Sequence, residues 1–471
     1  MSYRLVLQGS LITLAWILLV IPSIVGYLKG TSYTVFYRSY ILGQMQKTPL
    51  LDSILLGVVF LIVFVLYFWT LRINLLNISS MTIFVWTAVF TVILVLLFPY
   101  TCHDVFYYIA TGQQQSQYQI NPYLTSVHQM PDWRSDPLLS NTRWGFLLHV
   151  YGPLWAKVSS ILIALASNSL WAALFIFKAF AGLVHLLNLV LIGLTARRLN
   201  LNTSWAMLAY GWNPLLLFEL PGHAHNDALL LTFIILALYF LTISKGLFSI
   251  PALTLAATVK YTSILLIPLF AVWLLLQRKI KPLILGGVIS LGLLLAAWYP
   301  YWEGLATLNG LSRQMNFYSI KSLHFLLCQG IQYFMPSLSK DVIFSNLSSI
   351  LILIFILSYC YLLIYQIRSK NSHHGLISLC IVAIILYLFI ANKWYQPWYI
   401  SWIIPLGALI RPGEPNFMGT LLLSFSAEMS RLPQMLMQNV SVSVQLATFL
   451  IAWLPITYFL WHPKRFPPAN N

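Results

Sequence analysis

Long apolar segments recur along the whole chain and constrain its fold more than any other feature. A helix needs about 20 apolar residues to cross a bilayer. Windows of that kind lie near residues 9–28, 53–71, 81–99, 170–195, 203–221, 226–244, 282–300, 347–368, 374–391, 397–411, 418–438 and 441–461. Another apolar stretch, residues 248–277, is too long for one pass and is interrupted by "TVKYTS". It predicts two short passes, or a broken helix pair, that turn back on themselves.

The scarcity of charge excludes a soluble protein. Hydrophobic residues make up 59% of the 471 residues and charged residues only 8%, whereas soluble domains carry about 25% charged residues. Such a chain cannot cover a water-exposed surface. We therefore predict an all-α, polytopic integral membrane protein, with residues 1–471 forming one transmembrane domain without a separate soluble module.

The basic residues predict the topology. The net charge is +16, and the basic residues mostly separate apolar runs, as in "TARRLN", "LLQRKIKP", "YQIRSKN" and "HPKRFPP". Loops of this kind face the cytoplasm and anionic lipid, so the charge does not indicate a nucleic-acid partner. With these loops and both termini in the cytoplasm, about 12 to 14 passes are expected. We interpret the first run, Leu11–Tyr27, as a retained signal anchor.

Four polar stretches then fall together on the non-cytoplasmic face. They are residues 100–168, 221–227, 301–346 and 392–397. Cys102 and Cys328 both lie in these stretches, and the sequence leaves open whether they pair. The first stretch is long for a loop, and loops of that length are usually functional. Its segment "YGPLWAKVSSILIALAS" predicts a helix that lies in the membrane interface or dips into it.

Asp104 lies a few residues beyond an apolar run, in "TCHDVFYYIATG". A carboxylate held close to hydrocarbon is costly, and function is its default explanation. Glu219, Asp227 and Glu303 fall near the same boundary. For Glu303 we favour a helix end in water.

The segment "GHAHNDALLL", Gly222 to Leu231, allows three interpretations. His223, His225 and Asp227 are suitable metal ligands, but an HxH pattern without a further cluster is weak evidence, and we predict no metal. Asn226 or Asp227 can instead cap the helix that follows. The two histidines and Asn226 can also bind a sugar or phosphate at that helix terminus.

Two further segments carry isolated cations. Lys260 interrupts the apolar stretch 248–277 and is expected at its turn on the outer face, where it can neutralise an anionic head group. The short outer loop "KWYQPWY", Lys393 to Tyr399, suits an aromatic belt at the bilayer surface. Its Gln396 and Trp398 equally suit binding and stacking on a sugar.

Several of these motifs together resemble one family. "DVFYYIATGQ…INPY" resembles the D-V-Y-x-Y-x-x-x-G-(R/Q)…P-Y segment of bacterial polyprenol-phosphate-mannose-dependent mannosyltransferases, in the GT-C class of membrane glycosyltransferases. The α-1,6-mannosyltransferase branch is the most similar. "YGPLW", "GHAHNDALLL", "VKYTSILLIP" and "QPWY" recur there in the same order, over about residues 80–410.

The resemblance implies a GT-C-type fold and the transfer of a hexose, expected to be mannose. The donor would be a polyprenyl-phosphate-linked sugar and the acceptor an envelope glycan or glycolipid. The reaction would be inverting, on the outer face of the cell membrane, with no cofactor and no required metal. The family's base is the aspartate of the first large outer loop, which corresponds to Asp104.

The remaining site residues follow from the chemistry. A leaving polyprenyl phosphate needs cations or helix N-termini where its charge develops, and the donor needs polar and aromatic contacts. Candidates for the donor are Lys260, His223, His225, Asn226, Asp227, Lys393, Gln396 and Trp398, with Arg313 and Lys321 as weaker ones. Candidates for the acceptor or for shaping the loop are Tyr107, Tyr108, Asn121, Tyr123 and Tyr151.

Two other functions remain open at this point. A glycan transporter or flippase predicts repeat symmetry and charges buried in mid-bilayer, neither of which is clear here. Another membrane transferase, such as a polymerase or acyltransferase, predicts that His223 or His225 matters more than Asp104.

Overall fold

The described part of the chain is mostly helical. The computed structural model describes residues 3–28, 50–73, 78–99, 101–166, 168–314, 317–369, 372–437 and 441–461. These ranges contain helices and no β-strand, which confirms the all-α prediction. Lys370, Lys464 and Arg465, predicted to be cytoplasmic, lie outside the described residues.

The helices of the first half precede the apolar hairpin. They are α1 Tyr3–Leu28, α2 Leu50–Thr70, α3 Ser80–Val95, α4 Asp104–Ser116, α5 Pro153–Ala164, α6 Leu170–Arg198, α7 Thr203–Gly211, α8 Pro214–Leu217 and α9 Asp227–Thr242. A π-helical turn, Phe218–Gly222, follows α8.

The second half begins with the hairpin. Its helices are α10 Ser249–Val259, α11 Ile267–Leu276, α12 Ile280–Trp298, α13 Asn309–Gln314, α14 Leu323–Phe334, α15 Lys340–Arg368, α16 His373–Leu386, α17 Ile404–Ala408, α18 Pro415–Met429, α19 Leu432–Met437, α20 Val442–Trp453 and α21 Ile456–Trp461. The 3₁₀ segments Tyr261–Leu266 and Pro397–Trp402 matter for the site.

The protein is a polytopic membrane protein. Among the described residues, 6 helices are long and apolar enough to cross a bilayer, and further apolar helices of 10–17 residues accompany them. The helices α12 and α15 expose leucine, isoleucine and valine side chains along their length. Lipid can cover such faces as well as protein can. The GT-C type of fold and the number of passes stay predictions.

Four of the windows predicted as single spans are interrupted: 203–221, 397–411, 418–438 and 441–461. In the first, Asn213 accepts hydrogen bonds from the amides of Leu215 and Leu216 and so starts a new helix at Pro214. Proline has no amide proton and cannot continue the preceding helix. Counting apolar residues detected each of the four apolar runs but not the helix breaks inside them.

The segment 248–277 turns back on itself, as predicted. A Cβ on Gly246 would lie 2.8 Å from Leu274 Cδ2, so the two ends of the hairpin touch. Lys260 stands at the turn in an extended conformation, with φ −151° and ψ 124°, and the 3₁₀ segment Tyr261–Leu266 follows it.

The predicted polar stretches meet at one end of the bundle, called here the Asp104 end. Asn121 Nδ2 donates to the carbonyl of Tyr301 over 3.0 Å. The Ser319 amide donates to the carbonyl of Lys393 over 2.8 Å. The 12-residue helix α5 belongs to this end and is about 18 Å long, too short to span a bilayer. Its place in the membrane interface stays a prediction.

Candidate active site

Asp104 is the first residue of α4, where the positive end of the helix dipole favours a carboxylate. Its Oδ2 accepts a hydrogen bond of 2.9 Å from the hydroxyl of Tyr151. Its side chain is 14% exposed. Among the described residues, no lysine or arginine lies within ion-pair distance of this carboxylate. These contacts hold the Asp104 carboxylate in one orientation and leave it partly accessible.

Tyr151 is fixed to the apolar hairpin. Its carbonyl accepts from the hydroxyls of Tyr123, over 2.8 Å, and Tyr261, over 3.0 Å. The amide of Gly152 donates to the carbonyl of Val259 over 3.1 Å. Burial raises the pKa of the Tyr151 hydroxyl well above its ordinary value. The hydroxyl therefore stays protonated and donates to Asp104.

Lys260 and Asp227 form a buried ion pair. Lys260 Nζ lies 3.0 and 3.1 Å from the two oxygens of Asp227, and the indole of Trp402 donates to the same carboxylate. The ammonium also lies 4.8 Å from the ring centre of Tyr399, within cation–π range. The turn of the hairpin thus places a cation directly at the start of α9.

His225 lies between the carboxylates of the site. Its Nδ1 is 4.0 Å from Asp104 Oδ2 and 4.0 Å from Asp227 Oδ2. Its Nε2 is 3.1 Å from Glu219 Oε2, without the alignment of a hydrogen bond. The ring stacks on Trp398 at 4.4 Å. Burial lowers the pKa of His225 to about 4, although Asp104 and Asp227 oppose the shift, so the imidazole is neutral at pH 7.

His223 has a different role. Its Nδ1 lies 2.9 Å from the carbonyl of Phe218 and must donate to it. Its Nε2 therefore accepts, over 2.8 Å, from the hydroxyl of Thr101. The side chain links the segment before α4 to the π-helical turn. This arrangement favours a structural role over the predicted donor contact.

Asn226 and Tyr108 connect α9 to α4. The hydroxyl of Tyr108 donates to Asn226 Oδ1 over 3.3 Å, and both side chains are buried. Asn226 makes no side-chain cap to α9, so this contact replaces the predicted capping bond.

The predicted loop residues Tyr107, Asn121 and Tyr123 lie in the packing around this site. The hydroxyl of Tyr107 donates to the carbonyl of Leu148 over 2.9 Å. Asn121 accepts from the Tyr123 amide over 3.1 Å. Their contacts shape the loop that presents Tyr151.

Lys393 and Gln396 are not brought to the carboxylates. Lys393 Nζ lies 5.3 Å from the ring of Phe344, and Gln396 precedes the 3₁₀ segment Pro397–Trp402, half-buried. Lys321 is buried, and the indole of Trp453 donates to its carbonyl over 2.8 Å. The side chain of Arg313 lies outside the described residues, and Glu303 is exposed.

Sequence reasoning missed a buried ion network beside His225. Arg431 Nε donates to Glu428 Oε2 over 3.0 Å, and its Nη2 pairs with Glu219. All three side chains are buried. The sequence did contain one signal. An acidic residue, Glu428, and a basic residue, Arg431, lie three positions apart inside a window predicted to be a single span.

One group of side chains has the composition of a metal site. Donor atoms of Cys102, Asp104 and His225 all lie within 4.8 Å of one another. Cys102 is a free, buried thiol, and so is Cys328. Cys328 packs in another cluster with Ile343 and Leu347, so the disulfide that the sequence left open is not formed in this structure.

A comparison with protein families found a match to this chain. The model described as "alpha-(1->6)-mannopyranosyltransferase, N-terminal domain" matches residues 10–277. The chain belongs to this mannosyltransferase family. The match covers more than half of the chain and includes Asp104, His225, Asp227 and Lys260. The family predicted from the motifs is confirmed.

Membership identifies a membrane glycosyltransferase, with a sugar donor and an acceptor as its substrates. No curated protein matches the chain. In this mannosyltransferase, Trp398, Trp402, Glu428 and Arg431 lie beyond the matched residues yet contact the matched ones. The site is therefore assembled from both halves of the chain.

Proposed function

We propose that the protein transfers mannose from a polyprenyl-phosphate donor to a hydroxyl group of an envelope glycan or glycolipid. The observation that carries this proposal is the contrast between its two aspartates. Asp227 is neutralised by Lys260, whereas Asp104 is partly exposed, without a lysine or arginine partner among the described residues, and held by a neutral tyrosine. The Asp227 carboxylate holds the ammonium of Lys260 in place, and the Asp104 carboxylate is available as a base.

Asp104 acts as the general base in this proposal. The acceptor hydroxyl loses its proton as its oxygen attacks the anomeric carbon, and a carboxylate within hydrogen-bond reach accepts that proton. A single displacement inverts the configuration and needs no second carboxylate as nucleophile. The family membership supports mannose as the sugar.

Lys260 and the start of α9 suit the leaving phosphate. Negative charge grows on the polyprenyl phosphate as the glycosidic bond breaks, and preorganised positive groups stabilise it. The helix α9 begins at Asp227 and runs for 16 residues, so its positive end points at this region. Tyr399 and Trp402, which surround Lys260, shield the ammonium from water.

The distribution of basic residues supports an orientation with Asp104 on the non-cytoplasmic side of the cell membrane. The 29-residue helix α6 ends at Arg197 and Arg198, about 40 Å from its start. Its start lies at the Asp104 end, because Trp171 contacts Phe98 there at 6.3 Å. Arginines at the far end favour the cytoplasm.

Asp104→Asn tests the proposal, with Asp132→Asn as the matched control. Asp132 lies in the same loop, is exposed and has φ 53°, a conformation that asparagine accepts readily. In proteoliposomes with mannosyl polyprenyl phosphate and an envelope extract, Asp104→Asn should lower transfer about 100-fold or more. Asp132→Asn should leave it unchanged.

Near-normal transfer by Asp104→Asn, at normal expression and melting temperature, rejects Asp104 as the base. Loss of transfer on His225→Ala combined with normal transfer by Asp104→Asn would favour a histidine-dependent transferase. Parallel assays with glucosyl and arabinosyl donors define the sugar.

A further inference from the structure

Cys102 is a buried thiol that the proposed reaction does not use. It lies two residues before Asp104 and is 4% exposed. Its sulfur, an oxygen of Asp104 and a ring nitrogen of His225 lie within 4.8 Å of one another. A thiol, a carboxylate and an imidazole that converge in this way are chemically unlike the all-oxygen surroundings that magnesium and calcium prefer.

The state of His225 gives an independent indication of a ligand. Its side chain is 0% exposed, and neither ring nitrogen has a hydrogen-bond partner among the described residues. Buried imidazole nitrogens are normally satisfied. Here Nδ1 faces Asp104 Oδ2 at 4.0 Å, a distance that leaves room for an atom bound to both groups.

The electrostatics favour a cation at this point. Asp227 Oδ2 lies 4.0 Å from His225 Nδ1 and adds a second carboxylate on the same side. Lys260 and Arg431 are already paired with Asp227 and Glu219. Asp104 has no lysine or arginine partner among the described residues.

Zinc is the ion that these donors select. Zinc binds sulfur, nitrogen and carboxylate oxygen at about 2.0–2.3 Å and commonly keeps one open position beside three protein ligands. Tetrahedral zinc places its ligands about 3.5 Å apart. Since the three donors already lie within 4.8 Å of one another, shifts of about 1 Å would bring them to that spacing.

We propose that Cys102, Asp104 and His225 form a zinc site that inactivates the enzyme by occupying its base. The inhibitory part rests on the proposed function, because it takes Asp104 as the proton acceptor. A bound zinc ion occupies the Asp104 carboxylate, which must accept the proton of the acceptor hydroxyl. Zinc binding and mannose transfer therefore exclude one another.

Zinc binding is measured first, without any sugar substrate. Purified protein in detergent is stripped with a chelator, exposed to zinc chloride, desalted and analysed for bound metal. Wild type should retain about one equivalent of zinc, and Cys102→Ala and Cys102→Ser should lose it. Cys380→Ala, which removes a buried thiol of α16, should behave as wild type. Magnesium chloride under the same conditions should leave no bound ion.

Mannose transfer is measured next on the same proteins. Zinc should inhibit wild type and Cys380→Ala by at least 10-fold, and a chelator should restore them. The Cys102 variants should keep their activity and resist zinc. Zinc binding without inhibition overturns the inhibitory role. No binding by wild type, or equal binding by the Cys102 variants, overturns the site.

The zinc experiments can fail or succeed independently of the proposed mannose transfer. If no preparation transfers mannose but zinc binding still requires Cys102, the metal site stands and the transferase assignment fails. The serine variant covers the case in which alanine impairs folding, because it preserves the size of the buried side chain.

Discussion

Tyr151 links Asp104, the loop residue Tyr123 and the hairpin residue Tyr261. Its hydroxyl orients Asp104, and its carbonyl binds Tyr123 and Tyr261. A displacement of this loop therefore moves Asp104 directly. The position of Asp104 depends on tertiary contacts as much as on α4 itself.

Tyr151→Phe should lower kcat about 10-fold with little change in KM. The substitution removes a hydrogen bond to a charged group, which is worth about 1.5–3 kcal/mol, and it leaves the ring packing intact. Steady-state kinetics in proteoliposomes measure the effect. Tyr118→Phe is the control, because it removes a tyrosine hydrogen bond of the same kind to Asp136, a carboxylate outside the site. Equal kcat values for both variants would argue against an orienting role of Tyr151.

At the scale of single side chains, the sequence predicted only part of the site. Asp104, His225, Asp227 and Lys260 stand out as rare polar residues in apolar surroundings, and the structure brings them together. Trp402 and Arg431 contact Asp227 and Glu219 across 175 and 212 residues. No local pattern encodes contacts of that separation, so they escaped prediction.

At the scale of elements, the contact that positions Tyr151 is the one between the turn before α5 and the hairpin of α10 and α11. A Cβ on Gly152 would lie 2.2 Å from the carbonyl oxygen of Thr258. The apolar pattern predicted the hairpin, because Lys260 interrupts it. It did not predict this close approach, which only a residue without a side chain allows.

Gly152→Ala should separate the loop from the hairpin and lower both stability and transfer. Overpacking of a tight contact typically costs about 1–3 kcal/mol. The melting temperature in detergent and the transfer rate should both fall. Gly287→Ala is the control, because nothing lies within 4 Å of a Cβ there and alanine favours the helix α12. Unchanged activity of Gly152→Ala would show that the loop tolerates the shift.

At the scale of the whole molecule, the buried network of Arg431, Glu219 and Glu428 joins the two halves of the chain. Glu219 follows α8, and the other two residues lie at the junction of α18 and α19. Replacing one partner of a buried pair leaves an uncompensated charge, which costs about 3–5 kcal/mol.

Arg431→Met should therefore lower the melting temperature strongly and reduce transfer, because Glu219 also lies 3.1 Å from His225. Adding Glu219→Gln and Glu428→Gln should restore part of the stability, since the triple variant removes the two carboxylates that Arg431 neutralises. The restoration is incomplete because the buried amine of Lys321 loses the same two acidic neighbours. Thermal unfolding in detergent compares the three proteins. A single variant as stable as wild type would mean that the network contributes little.

The same network has a consequence for protein engineering. A fragment that stops after α11 would keep Asp104 and Lys260. It would lose Trp402, Trp398, which stacks on His225, and Arg431. Such a truncated polypeptide should be inert on its own. Two separately expressed pieces, cut between α11 and α12, should recover turnover only after they reassociate in the bilayer.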